Sequence, residues 1–309
     1  MTGNGGWGAG LVPWADAEAV RERLAAGADP CAALHAVGNT PLHEALWEEE
    51  ASAEVVELLI EHGADVEAVN ALGETPLWCA VRRRHADAAR VLLDAGADAW
   101  RPVVGDRSAG RTALFGPLAE IFAGLPGAPA ITEEERARQA EADALMAFYD
   151  RWEQNTEAVG IAFVAGLDLA ELVRRVGRGT FGVPGDGEVW LSAPPEGGLT
   201  VLGGTIPVKD AFLAAVSAGG VAAATFDNPA GGDQRVHWWR DGERAGMFSP
   251  FQDPKADDPE EAWLCRFGEE GHPYRDMAQN LALMTLLTGV RADEDWLFEG
   301  PKVIVPIRR

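Results

Sequence analysis

Positive charge is scarce in this chain of 309 residues. It has 26 Lys and Arg against 49 Asp and Glu, which gives a formal net charge of −23. Residues 1–130 hold 9 basic and 19 acidic side chains, for a charge near −10, and the remainder of the chain is near −13. An acidic surface repels phosphate backbones and anionic lipids. The composition therefore argues against nucleic acid and membrane surfaces as partners.

Cysteine and long apolar runs are also lacking. The three cysteines, Cys31, Cys79 and Cys265, form no Cys-x-x-Cys pair and no Cys/His cluster, so neither a disulfide framework nor a zinc site is indicated. No apolar run reaches the roughly 20 residues of a membrane span, and the first residues lack the charged n-region and apolar h-region that an export signal has. We therefore predict reduced thiols in a cytoplasmic protein.

Motifs of catalysis and of cofactor binding are missing as well. The sequence contains no HExxH, no nucleophile elbow and no phosphate loop. Residues 177–182 fit GxGxxG by letter, but they follow a helix pattern instead of a strand, which indicates a helix end and a loop. We predict no metal and no cofactor, and an enzyme is disfavoured.

One pattern is written twice between Gly38 and Asp98. Gly-Asn-Thr-Pro-Leu-His-Glu-Ala begins at Gly38, and Gly-Glu-Thr-Pro-Leu-Trp-Cys-Ala begins at Gly73. Each copy leads to an apolar helical pattern and then to Gly-Ala-Asp, at residues 63–65 and 96–98, which is a spacing of 33 residues. The threonine suits a helix N-cap, the proline suits the first turn, and the glycine suits a left-handed C-cap. Each copy therefore predicts a helix pair that must stack on neighbours.

Weaker copies flank these two. Residues 19–29 match the second helix of the pattern and indicate a degenerate N-terminal copy. Residues 110–115 echo its start, but Gly116-Pro117 interrupts the copy at once. The first copy also contains a two-residue insertion, marked by Glu48-Glu49-Glu50, which we expect to bulge between its helices.

This pattern resembles the ankyrin-repeat family over about residues 11–125. The resemblance implies an all-α solenoid with two clear repeats and degenerate terminal repeats. It also implies that a protein partner binds at the hairpin tips and on the concave face of the first helices. Aligned on the motif, the tips would hold Val37, Asn39, Leu72, Glu74 and Arg111, and the concave face would hold Trp47, Glu48, Arg82 and Arg83.

Two of these assignments leave alternatives open. Trp47 is either a binding hot spot or a residue that packs against the rest of the chain. The basic run at residues 82–84 either meets an acidic partner or neutralises carboxylates of the protein itself. Trp78 and Phe115 replace the histidine that His43 retains, so we expect the later repeats to lack its polar contact.

The rest of the chain indicates a second domain. We predict a flexible segment at residues 1–10, a linker at 126–131 and an α+β domain at 132–309, because helices and strands alternate there with hairpins. The predicted helices lie near residues 132–152, 169–176, 207–217 and 274–287, and the predicted strands near 159–164, 189–191, 199–202, 221–226, 235–240, 247–248 and 303–305.

This second domain resembles an uncharacterised domain that is common in actinobacteria. The resemblance is carried by residues 166–177, 241–248 and 286–290 and covers roughly 148–298. It implies a bacterial lineage and no activity.

Candidate chemistry in the second domain is sparse. His237, Trp238 and Trp239 on one hairpin indicate either a small-ligand pocket or ordinary aromatic packing. Acidic residues 257–261 suit a helix N-terminus better than a metal site, and His272 has no partner at ligand spacing.

Three functions remain open at this point. The first is a non-enzymatic scaffold that binds a protein through the solenoid. The second is an immunity or defence-type protein that neutralises a basic partner. The third is an enzyme or ligand sensor with its site in the α+β domain. The sequence leaves the oligomeric state open.

Overall fold

The computed structural model describes residues 5–8, 12–149, 158–178, 187–227, 235–249, 254–266 and 277–307. The chain divides into two compact units. The first comprises Met1–Thr132 and Lys255–Asp257, and the second comprises Glu133–Pro254 and Asp258–Arg309.

The first unit is a stack of short helices in two rows. The helices are α1 (Ala17–Ala25), α2 (Pro41–Trp47), α3 (Ala53–Glu61), α4 (Pro76–Arg82), α5 (Ala86–Asp94), α6 (Ala109–Ala113) and α7 (Ala119–Ala123), with a small antiparallel hairpin of β1 (Pro102–Val104) and β2 (Arg107–Ser108). Helices α2, α4 and α6 pack side by side as an inner row, and α1, α3 and α5 form an outer row.

The repeated motif sets the ends of the helices as predicted. Thr40 and Thr75 are the N-cap residues of α2 and α4, each followed by proline, and Thr75 Oγ1 accepts a hydrogen bond from the Trp78 amide at 3.2 Å. Gly63 and Gly96 follow the outer helices with φ of 92° and 93°, a backbone conformation that glycine adopts without steric cost.

Among the described residues at the amino end of the stack, no inner helix lies beside α1. Two indoles cover this end: Trp7 and Trp14 are buried, with ring centroids 4.9 Å apart, and Trp7 Nε1 donates to the Asp29 carbonyl at 2.7 Å. Trp7 is therefore held by contacts within the unit, and the flexibility of residues 1–10 stays a prediction. An exposed stack end needs an apolar cover when its outermost repeat is incomplete.

The second unit is a seven-stranded sheet with helices on both faces. Its elements are α8 (Glu133–Tyr149), β3 (Val159–Ala165), α9 (Leu169–Arg178), β4 (Gly187–Ser192), β5 (Leu199–Gly203), a 3₁₀ turn (Ile206–Val208), α10 (Asp210–Ser217), β6 (Val221–Asp227), β7 (Val236–Arg240), β8 (Glu243–Phe248), α11 (Glu260–Leu264), α12 (Met277–Thr288), α13 (Glu294–Glu299) and β9 (Val303–Ile307). The strand order is β8-β7-β6-β3-β5-β4-β9, and every neighbouring pair is antiparallel.

Strand β3 contributes side chains to two hydrophobic cores. Ile161 and Phe163 point to the core that α8 and α12 cover, whereas Ala162 and Val164 point to the core that α9 and α10 cover. Both faces of the strand are buried, which explains its nearly continuous apolar run. A helical repeat unit followed by an α+β unit is the fold class that the sequence predicts.

No helix among the described residues is long and apolar enough to cross a bilayer.

Candidate functional site

The turns before α2 and α4 stack against each other. The Ala71 amide donates to the Val37 carbonyl at 2.8 Å, which links one turn to the next. Val37, Val69 and Leu72, which we call the tip row, leave 38%, 49% and 64% of their surfaces exposed. They are the large hydrophobic residues exposed in the described part of the first unit. The alignment predicted Val37 and Leu72 at the tips and missed Val69. The third turn, at Gly105, lies against Ala256 of the same unit.

Behind the tip row, polar side chains form a buried ladder between repeats. Asn70 Nδ2 donates to Asn39 Oδ1 at 3.0 Å and to Glu74 Oε2 at 2.8 Å. Asn70 Oδ1 accepts from the amides of Leu72 and Glu74 at 2.9 and 3.0 Å. Asn39 and Glu74 are 9% and 6% exposed. Their assignment to a partner-binding tip is therefore corrected: they join the repeats and present little surface to a partner.

Sequence reasoning missed Asn70, which is the centre of this ladder. Its position, five residues before Thr75, corresponds to His35 before Thr40, and His35 does not play the same part. The signal that could have found Asn70 is its turn chemistry, because a side-chain amide in a tight turn bonds to backbone amides two to four residues ahead.

On the inner row, Trp47 lies beneath two arginines. Trp47 and Arg82 end α2 and α4 at equivalent positions, and Arg83 follows Arg82 as the C-cap of α4. The guanidinium carbons of Arg82 and Arg83 lie 5.2 and 4.6 Å from the centre of the Trp47 ring, within cation–π range. Arg82 also pairs with Glu74 at 2.8 Å, between side chains that are 20% and 8% exposed. The structure thus brings Trp47, Arg82 and Arg83 together on the face of the inner helices.

Glu48 and its neighbours continue this face beyond α2. The Glu48 carbonyl lies 3.1 Å from His85 Nε2, and the side chain of Glu48 is half-buried. Glu49 and Glu50 are exposed in the bend that follows α2.

Arg111 does not lie at a tip. Ser108, rather than Thr112, caps α6, because Ser108 Oγ accepts the Arg111 amide at 3.0 Å. Arg111 therefore sits inside α6, with its guanidinium carbon 4.9 Å from the centre of the Phe115 ring. The alignment failed here because the short β1–β2 hairpin places the N-cap of α6 at Ser108, four residues before the threonine of the motif.

His43 joins the first clear repeat to the second. Its Nδ1 accepts from the Thr40 amide at 3.2 Å, so Nε2 carries the proton and donates to the Glu74 carbonyl at 3.0 Å. Burial lowers the pKa of His43 below the usual histidine value, because burial disfavours the charged ring. Trp78, at the corresponding position of the next repeat, is 1% exposed and belongs to the apolar core.

This lowered pKa predicts that acid weakens the repeats through His43. Between the folded value and the ordinary value near 6.5, the unfolded chain binds a proton that the folded chain does not, so stability falls as the pH drops. The contribution of neutral His43 to stability is complete above about pH 6.5. We expect the stability advantage of the wild type over His43→Gln to shrink from about pH 7.5 to about pH 5. Hydrogen exchange of the α2–α5 amides measures it, and an advantage that stays constant across this range contradicts the assignment.

His237, Trp238 and Trp239 do not form one pocket. Trp238 packs in the core under α8 and α12, and Trp239 packs in the opposite core. His237 lies on the same sheet face as Trp239, since both pair with β6 residues of that core. The predicted ligand pocket is therefore corrected to two buried cross-strand packings, as alternation along β7 requires.

Other candidates in the second unit have structural partners. Glu260 and Glu261 lie 3.0 and 3.8 Å from Arg138, and the described residues contain no cluster of three metal-ligating side chains. Burial raises the pKa of the Cys265 thiol to about 12, so the thiol stays protonated and unreactive. His272 and most of the GxGxxG stretch, from residue 179, lie outside the described residues.

The paired helices, their capping and their stacked turns define a helical repeat protein in the first unit. Residues 14–102 match the sequence model of the family described as Ankyrin repeats (3 copies). The N-terminal helices are thus ankyrin repeats, a class that generally binds protein partners. No curated protein matches the chain. The resemblance of the second unit to an uncharacterised domain stays a prediction.

Proposed function

We propose that this protein is a non-enzymatic scaffold of the cytoplasm that binds a protein partner through the inner-helix face and the tip row of its ankyrin repeats. The observation that carries the proposal is the arrangement of Trp47 under Arg82 and Arg83. Tryptophan and arginine are the residues that most often dominate binding energy in protein interfaces.

Trp47 suits this role because it is held in place yet still reaches solvent. Arg82 is fixed from one side by Glu74 and lies over the indole from the other. A side chain that is ordered before binding loses less conformational entropy on binding. The face is therefore preorganised for a partner.

The remaining assigned residues have different parts in this proposal. Val37 and Leu72 extend the contact to the tips, and Glu48 extends it past α2. Asn39 and Glu74 act through their neighbours by holding the turns and Arg82. Arg111 contributes at most through the surface of α6. The second unit supplies a further interaction or regulatory module.

The first test is Trp47→Ala in the full chain. We expect the dissociation constant for the partner to rise by about 30-fold, since truncating a central aromatic residue costs about 2 kcal/mol or more. The partner would be captured from a lysate of the source cells, identified, and titrated against the wild type and the variant by calorimetry.

Trp190→Ala is the matched control. Trp190 is a tryptophan with 38% of its surface exposed, on β4 of the second unit, so its removal should leave the affinity unchanged. Equal affinities of Trp47→Ala and the wild type, with the α2–α5 amides still protected from exchange, would remove Trp47 from the interface and the proposal with it.

A further inference from the structure

Nearly all of the exposed charged side chains of the first unit, the ankyrin unit, are carboxylates. The segment Lys255–Asp257 contributes one exposed Lys and one exposed Asp to this unit. Of the 19 Asp and Glu through residue 130, 15 are exposed, whereas only two of the nine Lys and Arg in that range are, Arg21 and Arg90. Both of those arginines are ion-paired within the unit, to Glu18 and Glu54 and to Asp87. The field that an approaching molecule meets is therefore more uniformly negative than the net charge alone indicates.

The cations of the inner-helix face are engaged within the chain. Arg82 pairs with Glu74, and both Arg82 and Arg83 lie on the Trp47 ring. For Arg82, this favours the second interpretation of the basic run, in which it neutralises carboxylates of the protein itself. An acidic partner would have to compete for these arginines against contacts already made.

Apolar and acidic surfaces flank this face at opposite ends. The tip row lies at the amino ends of the inner helices, and Glu49 and Glu50 follow the carboxyl end of α2. The seven residues of α2 alone span about 10 Å along the helix axis, and the tip row and Glu49 and Glu50 lie beyond its two ends. A partner segment that contacts both must therefore be longer than three or four residues in extended form.

We propose that the partner is a basic polypeptide that places an apolar side chain on the tip row and lysine or arginine side chains against Glu49 and Glu50. This inference rests on the proposed function and adds the chemistry of the partner. Charge complementarity selects it: an excess of exposed carboxylates accelerates association with a cationic protein and slows association with an acidic one. Long-range charge attraction provides no apolar contact, and the tip row supplies one.

The test titrates the full chain with a 12-residue peptide of repeated Lys-Leu-Lys-Lys units, and with a matched peptide in which Glu replaces every Lys. The lysine peptide should bind, and its affinity should fall about tenfold when salt is raised from about 50 to about 300 mM. The glutamate peptide should not bind. Binding of the glutamate peptide in place of the lysine peptide overturns the inference.

Two charge variants separate this site from general attraction. Glu49→Lys/Glu50→Lys and Glu57→Lys/Glu61→Lys change the net charge equally, but the second pair lies exposed on the outer helix α3. The first double variant should weaken the lysine peptide by about tenfold or more and the second by less than about threefold. Equal losses would show that only total charge matters, and the inference would fall.

Leu72→Ser tests the apolar contact without changing charge. It should weaken the lysine peptide by about threefold to fivefold, in keeping with the loss of one exposed apolar anchor, while Ile304→Ser, at a residue 59% exposed on β9, should have no effect. An unchanged affinity in Leu72→Ser would remove the tip row from the site. If the peptide tests fail while Trp47→Ala still weakens the captured partner, the scaffold function stands and only the basic partner is excluded.

Discussion

Gly220→Ala should destabilise the second unit by about 3 kcal/mol, although it adds a single methyl group. A Cβ on Gly220 would lie 2.1 Å from the Ala165 carbonyl oxygen and 3.1 Å from the Gly166 Cα. Both of these are backbone atoms, so no side chain can turn away. Gly220 immediately precedes β6, whose first residue, Val221, pairs with Ala165 at the end of β3. Urea unfolding of the full chain, together with hydrogen exchange of the β3 and β6 amides, measures the loss.

Gly204→Ala is the control for this substitution. A Cβ on Gly204 meets nothing within 4 Å, so the change should alter the free energy of unfolding by less than about 0.5 kcal/mol. If both variants unfold at the same urea concentration as the wild type, the two central strands do not approach each other as closely as Gly220 requires.

Local pairings of this sheet could be predicted from the sequence, whereas its strand order could not. The Asp241-Gly242 dipeptide indicates a two-residue turn, and both residues do have positive φ, 51° and 84°, between β7 and β8. The β4–β5 hairpin follows in the same way from strand patterns on either side of a short turn. Strand β9, by contrast, pairs with β4 and lies more than 100 residues from it in the chain. Periodicity in one segment carries no information about such a distant partner.

The candidate site likewise has contacts that could be predicted from the sequence and contacts that could not. Trp47 and Arg82 hold the same position in successive repeats, so their proximity follows from the repeat itself. The burial of Asn39 and Glu74 does not follow from the repeat, because it depends on Asn70, a turn residue that the motif alignment did not include. The displacement of Arg111 into α6 depends on a hairpin of five strand residues that the helical pattern did not indicate. Side-chain bonds between neighbouring turns decide which tip residues stay exposed.

Asn70→Ala should destabilise the ankyrin repeats by about 3 kcal/mol. The change removes two hydrogen bonds that the amide donates and two that it accepts, and it leaves buried groups unpaired at about 1–3 kcal/mol each. Glu74 would keep Arg82 but lose its amide donor in a place where its side chain is 8% exposed. Hydrogen exchange of the α2–α5 amides in the full chain gives the local free energy of unfolding.

Glu67→Ala is the matched control for Asn70→Ala, because it also removes bonds between repeats. Glu67 accepts from the Asp98 amide at 2.6 Å and from Arg101 at 2.9 Å, but its side chain is 33% exposed. Water replaces bonds at such a site, so the loss should stay below about 1 kcal/mol. In the double variant Asn70→Ala/Glu74→Ala the buried carboxylate is gone, and the loss should be smaller than the sum of the two single losses. Additive losses would show that Asn70 and Glu74 stabilise the turns independently, and the buried ladder would then not be what holds Arg82 over Trp47.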